Sequence, residues 1–573
     1  MTRGAVFLLA VCCLQAVSLA QDAVIPGAIH VDASLLNIGI RWQIGGDDNL
    51  NAFCTVRYRA AGAATWKDGL DLVRTHPYLH GEAGDRPDNR FAGSVFFLDP
   101  DTPYEFELDL TDPDGGNSTQ VVVGSTRTPI KPATGGRIFC VVPGSGGGPS
   151  HSEAPLSGLQ AAADIAEPGD VFYVTPGIYE AFTLTTSGRG DAPIVFRGLF
   201  DPIRDPREDR WAIVDGGDTS RGVCTIGTYN TITTHIIVEN MVFQNGYWGI
   251  DAQNTQHIVF RRNILREVGY GYYNRRGNGW DGDQMISDCL FTGRTPWPGT
   301  GIPAEQGISL RGGDNNVCYN RVMYFGDGIS VQPTVVDAHS NDIWGNDIAY
   351  IVDDPIEIDY NVANCRVWRN RVVNGRMGIS VAPIYGGPVY IMRNEFFNLE
   401  YSAYKMNRQP SGLVIIHNTS SKLGNGTSSD AGWQNTLLRN NVILGTRYVF
   451  EEYGLVSNSV DDWDYDAVDT PATPFAKWNN VRYQDLDDLK TNSGIEAHAV
   501  ASGSGDLVDA ILPQSYTDGV IPGSYDLRLR GGVAAVDAGA ALPNINDFFV
   551  IDGKPDCGTF EQGAPLPHYG PRR

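Results

Sequence analysis

The chain has 573 residues, 67 acidic and 43 basic, for a net charge of −24 at pH 7. That length supplies material for a large core and for several units of ordinary size. So acidic a surface repels nucleic acid and anionic membranes at long range, which excludes both as partners; an acidic sugar polymer stays open, because a local basic strip or bound Ca²⁺ reverses the sign inside a groove.

Residues 1–20 read as an export signal. Arg3 supplies the positive start, Ala5 to Val17 is apolar, and Ser18-Leu19-Ala20 ends in small residues. The apolar run is too short to span a bilayer and no later one is long enough, so the expectation is a secreted chain, extracellular or periplasmic, without membrane insertion. Seven cysteines remain beyond the signal, an odd number with no CxxC pair. They are expected as small buried apolar residues rather than metal ligands or disulfides.

From 21 to 130, apolar and polar residues alternate in short runs, such as Ile38-Gly39-Ile40-Arg41-Trp42 and Cys54-Thr55-Val56-Arg57-Tyr58. With Trp42, the string Leu98-Asp99-Pro100-Asp101-Thr102-Pro103-Tyr104 resembles a fibronectin type III domain, where a Tyr follows a Leu-x-Pro turn at a strand corner. The resemblance implies a β-sandwich serving as spacer or docking module, with no chemistry of its own. Thr128 to Gly136 reads as a linker. Leu159 to Ala166 has the pattern of one short amphipathic helix, followed by strand-like runs at Val171-Phe172-Tyr173-Val174 and Ile194-Val195-Phe196. This order resembles the entrance of pectate-lyase-like β-helices, where a helix covers the open end of the first coil.

The repeat is the strongest signal. Asn recurs at 240, 263, 320, 346, 370, 394, 418 and 440, with Asp288 in the one gap, at spacings of 23, 25, 32, 26, 24, 24, 24 and 22. An apolar residue stands three before each (Ile343, Val367 and Ile391, for example), and another stands two after nearly all of them. Runs of three to six β-branched residues at this period predict a right-handed parallel β-helix over 137–455, its Asn side chains bonding from coil to coil. Beyond 455 the period fades, and 456–573 reads as a C-terminal extension and cap over an otherwise unpaired edge.

A second strand in each coil aligns by its inward residues Ile250, Ile308, Ile329, Ile356, Ile379 and Tyr404. Alternation then sends Asp251, Ser309, Ser330, Glu357, Ser380 and Lys405 outward, with a second outward column of Gln253, Arg311, Gln332, Asp359, Ala382 and Asn407. Arg275 joins that second column from a Tyr-rich coil. Asp327, Asp353, Asp354 and Arg376 lie at the mouth of the same strands, and Arg408 at the far end.

Two mechanisms use such residues. Coils stack about 4.8 Å apart, and inverting glycosidases need carboxyls roughly 6.5–9.5 Å apart to admit a water. Asp327 with Asp354, or Asp354 with Glu357, suits that spacing. Asp327-Gly328-Ile329 followed by Asp353-Asp354-Pro355-Ile356 resembles the polygalacturonase family, which implies general acid and base roles for these Asp residues. The Gly-His-Gly that follows in that family is here Arg376-Met377-Gly378. The second mechanism is β-elimination beside a uronate carboxylate, with Lys or Arg as base and a cation on the acid group. Gly307-Ile308-Ser309-Leu310-Arg311-Gly312 resembles the Leu-Arg-His-Gly coil of the alginate lyase and chondroitinase B family. This resemblance implies Arg311 in proton transfer; Lys405 is the other candidate base on the same face, and Asp353, Asp354, Glu357 and Asp359 offer oxygen ligands for Ca²⁺.

The rims carry aromatic residues, Tyr270 and Tyr273 on one coil and Trp297 in the long gap before Asn320, of the kind that stack on sugar rings. The expected binding residues are Asp359, Arg275, Arg376, Arg408, Tyr273 and Trp297. The sequence therefore points to a secreted enzyme that acts on a polysaccharide: a glycoside hydrolase needing no cofactor is favoured. A Ca²⁺-assisted lyase or epimerase and a non-catalytic glycan-binding protein are the alternatives, and a monomer is expected in each case.

Overall fold

The computed structural model describes residues 21–75, 88–147, 155–217, 221–275, 281–301, 303–332, 338–429, 432–454 and 460–573. The expected export signal lies outside the described residues.

The alternating N-terminal segment forms two four-stranded antiparallel sheets. One runs in the order Ile25–Ala33, Ile38–Gly45, Arg90–Val95, Val73–Thr75, the other Lys67–Asp68, Phe53–Ala60, Pro103–Thr111, Ser118–Ser125. Ile38, Ile40 and Trp42 from the first sheet meet Val56, Tyr58, Phe106 and Leu108 from the second in one core, which makes a small β-sandwich.

The rest of the chain is dominated by a parallel β-solenoid built from a fourteen-stranded and a twenty-stranded sheet. A typical coil gives one strand to the first sheet and two to the second, as in Asn316–Cys318, Arg321–Met323 and Asp327–Gln332. Apolar side chains at equivalent places stack inside, among them Ile308, Ile329, Ile356 and Ile379, all fully buried. No single coil buries these residues; each is covered only by its neighbours. The helix Leu159–Asp164 places Leu159, Ala162 and Ala163 against this core near its first coils. At the other end, strands Asp462–Asp464 and Ala467–Asp469 extend the two sheets, and the helix Leu486–Asn492 inserts Leu489 into the core.

The Asn ladder exists with a shifted membership. Asn320 Nδ2 donates to Asn346 Oδ1 at 3.1 Å, Asn346 to Asn370 at 2.9 Å, and Asn370 to Asn394 and Asn394 to Asn418 at 3.0 Å. Asn418 then bonds Asn441 rather than Asn440, and Asn441 bonds Asp466. In the long coil Cys289 rather than Asp288 holds the place, its N–H donating to Asn320 Oδ1 at 3.1 Å. The reason is local: the residue before each ladder position turns with positive φ, as at Tyr319, Arg369, Arg393 and His417, and Asp288 and Asn440 occupy that turn. Short polar side chains tolerate the left-handed region, so they mimic the ladder pattern one residue early. All seven described cysteines are free, six of them buried and Cys140 half-buried.

Two faces of the solenoid are covered by the rest of the chain. The sandwich docks on the fourteen-stranded sheet: Phe96 meets Tyr390, Phe97 meets Trp368, and Asn37 donates to Asp342 at 3.1 Å. The C-terminal segment turns back to pack Leu527, Leu529 and Ala535 on Ala349, Val373 and Phe397, the first strand of each coil in the larger sheet. These contacts leave the second strand of those coils as the face on which the expected catalytic residues stand.

Candidate active site

Register aligns the first column as expected, although Asp251, Ser309, Ser330 and Ser380 in it are buried. Asp251 pairs with Tyr273, Tyr273 with Ser309, Ser309 with Ser330, Ser330 with Glu357, Glu357 with Ser380, and Ser380 with Lys405. Tyr273 therefore stands in the same column as Glu357 and Lys405. In the second column Gln253 pairs with Arg275 and Arg311 with Gln332.

Asp327 begins its strand opposite Gln306, and the Asp354 N–H donates to Asp327 Oδ1 at 3.2 Å. Gln306 holds the other Asp327 oxygen at 3.1 Å. Lys405 Nζ reaches across the coil Met377–Ser380 to donate to Asp354 Oδ2 at 2.6 Å. Asp354 Oδ1 is buried without a hydrogen-bond partner. Ser330 Oγ donates to Glu357 Oε2 at 2.8 Å. Asp353 and Asp354 are almost fully buried, so Asp353-Asp354-Pro355 is not a solvated turn.

Crowded, partly dry carboxyls resist ionisation. Burial pushes Asp354 up to about 7, against the pull of Lys405 and with Asp353 and Glu357 adding to the rise. Burial, with the charges of Glu357 and Asp354, raises Asp327 well above the ordinary range. Glu357 is also raised by burial, held back by Ser330 and Lys405. Lys405 itself is raised: burial lowers it, but the charge and hydrogen bond of Asp354, with Asp353 and Asp359 nearby, outweigh that. The arrangement thus offers a carboxyl poised to give a proton near neutral pH and an ammonium that stays charged.

Several expectations are corrected. One oxygen each of Asp327, Asp353 and Asp354 lie within 4.8 Å of one another. Asp327 and Asp354 are therefore too close for the inverting separation of roughly 6.5–9.5 Å, because their strands start in register on adjacent coils. Among the described residues it is these three, not Asp353, Asp354, Glu357 and Asp359, whose oxygens come close enough together to share a metal ion. Glu357 is turned onto Ser330, and Asp359 is buried rather than outward, accepting from Ser380 Oγ at 2.8 Å and the Ala382 N–H at 2.7 Å. Burial foremost, then the Glu357 charge, pushes Asp359 up to about 8. Trp297 is no open platform: it packs edge-on against Tyr350 and Tyr516 and donates Nε1–H to the Tyr516 hydroxyl at 3.0 Å.

The remaining cations line the face with partners of their own. Arg275 makes a two-pronged bond to Asp251 at 2.6 and 2.8 Å. Arg311 donates to the Asn274 carbonyl at 3.2 Å, and Arg408 to the Tyr360 hydroxyl at 2.7 Å. Arg376 lies 3.4 Å from Asp353 and 3.8 Å from Glu400, over the ring of Tyr401. Ser330 and Ser380 stand in the outward column legible from the sequence, but their role in orienting carboxyls was not. Gln306 left no signal, since it precedes the periodic part of its strand.

No family profile matches the chain, and no curated protein does. Among solved structures it is similar to an alginate lyase from Paenibacillus sp. str. FPU-7, at 15% identity and a TM-score of 0.30, over 56% of this chain and 95% of that chain. A likeness of that degree carries no argument about chemistry.

Proposed function

We propose that the chain is a secreted, monomeric enzyme that cleaves a polysaccharide by hydrolysis, with Asp354 as general acid. The observation that carries this reading is the state of Asp354: buried, one oxygen gripped by Lys405, the other unpartnered, and its proton held to about pH 7. Glu357 is the favoured base, since Asp327 stands too near Asp354 to admit a water between them. Asp353 and Glu357 help to keep the proton on Asp354 by repulsion, and Arg376, Arg408 and Tyr273 contact the polymer. Lys405 serves as a fixed cation, because a lysine raised by neighbouring carboxylates is a poor base.

The second reading is a lyase or epimerase acting on a uronate-containing polymer with Ca²⁺. It is favoured by the convergence of Asp327, Asp353 and Asp354, which suits a hard cation with oxygen ligands. We assign the export function to residues 1–20. The sandwich we read as fibronectin type III-like: its two sheet orders fit, and the Tyr104 hydroxyl accepts from the Asp99 N–H at 3.0 Å, as at the corner of such folds.

A panel of neutral and acidic polysaccharides tests the proposal, read by reducing ends and by ultraviolet absorbance. Hydrolysis yields reducing ends alone, and Asp354→Asn lowers the rate by a factor of about 10² to 10⁴. An absorbing unsaturated product, or activity abolished by a chelator, establishes the lyase reading instead; glycan binding without any cleavage leaves neither.

A further inference from the structure

Beside the carboxylates the long coil builds a pocket that the cleavage chemistry does not use. Its volume is about 410 Å³, and Arg294, Pro296, Pro298, Thr300, Glu305 and Val352 are among its walls. It shares structure with the site at two points. The Glu305 carbonyl accepts from the Asp327 N–H at 3.1 Å, and Val352 directly precedes Asp353. Most of its walls come from the coil whose ladder spacing is exceptionally long, 31 from Cys289 to Asn320. It lies at the start of the strands, to the side of the column Tyr273, Ser309, Ser330, Glu357, Ser380 and Lys405 rather than along it.

We infer that this pocket receives a neutral sugar branch of the polymer whose backbone lies along that column. The volume falls in the range of roughly 300–1,000 Å³ typical of small-ligand sites. Proline and valine faces suit the apolar side of a pyranose. The Glu305 side chain makes no hydrogen bond or ion pair among the described residues, whereas the Arg294 guanidinium donates to the Gly246 carbonyl at 3.3 Å. One acceptor and one donor of opposite charge match hydroxyl groups, which both give and accept. The carboxylate disfavours a uronate at the same place. Selectivity for a branched substrate then follows from contacts with Glu305, Arg294 and the proline faces that only the branch makes.

The inference rests on the polysaccharide reading, so its test has one arm that requires cleavage and one that does not. On a polymer that the protein cleaves, kcat/KM is compared for branched and enzymatically debranched forms, in wild type, Glu305→Gln and the pocket-filling Thr300→Trp. Both variants are expected to lower kcat/KM at least tenfold on the branched form and less than twofold on the linear one; an equal loss on both overturns the inference. Independently, methyl glycosides of galactose, glucose, mannose, xylose and arabinose are titrated into the full chain and followed by saturation-transfer NMR. At least one is expected to bind wild type and not Thr300→Trp. Binding of none, or binding unaffected by Thr300→Trp, overturns the pocket assignment even if the enzyme proves to be a hydrolase. If no polymer is cleaved but a glycoside binds as expected, the pocket stands and the proposed catalysis falls.

Discussion

Lys405 Nζ and Asp354 Oδ2 meet at 2.6 Å across an intervening coil, so one ion pair ties together three turns of the solenoid at the candidate active site. The pair is half-sheltered on the Lys side and nearly dry on the Asp side, where removing one partner costs far more than the pair contributes. Its electrostatic sign makes a kinetic prediction. Lys405 lowers Asp354; without it Asp354 sits above about 7. If protonated Asp354 is the acid, kcat/KM falls as pH rises through its pKa. Lys405→Met is therefore expected to reduce the maximal rate and to move the alkaline limb of the pH profile to higher pH, with Lys405→Arg restoring part of both. A limb that stays in place removes the assigned coupling.

Asp359 predicts a pH-dependent stability difference. Its carboxyl is held protonated in the fold, up to about 8, against an ordinary value of 3.8. The folded state then binds the extra proton, so stability from this group is complete below pH 4 and is lost as pH rises toward 8. Asp359→Asn keeps a neutral side chain throughout. Its Tm is expected to gain steadily on that of wild type between pH 4 and 8, measured by calorimetry; a constant difference across that window contradicts the buried, neutral state.

The ladder makes a prediction about the scaffold. Asn370 donates to Asn394 Oδ1 and to the Ile343 carbonyl, and accepts from the N–H and side chain of Asn346. Asn370→Ala strands these buried groups at about 1–3 kcal/mol each. A loss of about 3 kcal/mol or more is expected from denaturant unfolding, with Asn370→Asp intermediate because it keeps the acceptor.

Docking of the sandwich rests on another buried charge. Arg366 is fully buried between Asp342, the Ser340 carbonyl and the Ser94 hydroxyl. Arg366→Ala leaves Asp342 buried and uncompensated, at an expected cost of about 3–5 kcal/mol. Urea unfolding followed by tryptophan fluorescence checks it; a change below 1 kcal/mol would mean that water reaches Asp342 freely.

Much of this architecture was legible in the linear chain because stacked coils repeat the same local demands. An inward residue must be apolar at every turn, and its neighbour must point out, so period alone located Glu357 and Lys405 in one column. What local pattern left open was one-residue register and long-range closure. Whether Asn440 or Asn441 enters the ladder depends on which residue takes the left-handed turn. That Asp327 lies within 4.8 Å of Asp354 depends on the length of the loop between their strands. Which faces are covered is settled by contacts such as Asn37 with Asp342 and Asn544 with Tyr58, hundreds of residues apart. Repetition in sequence determined the solenoid and its alternation; only the packing of distant segments decided which carboxyls converge, because their burial and mutual repulsion exist only once the coils are stacked.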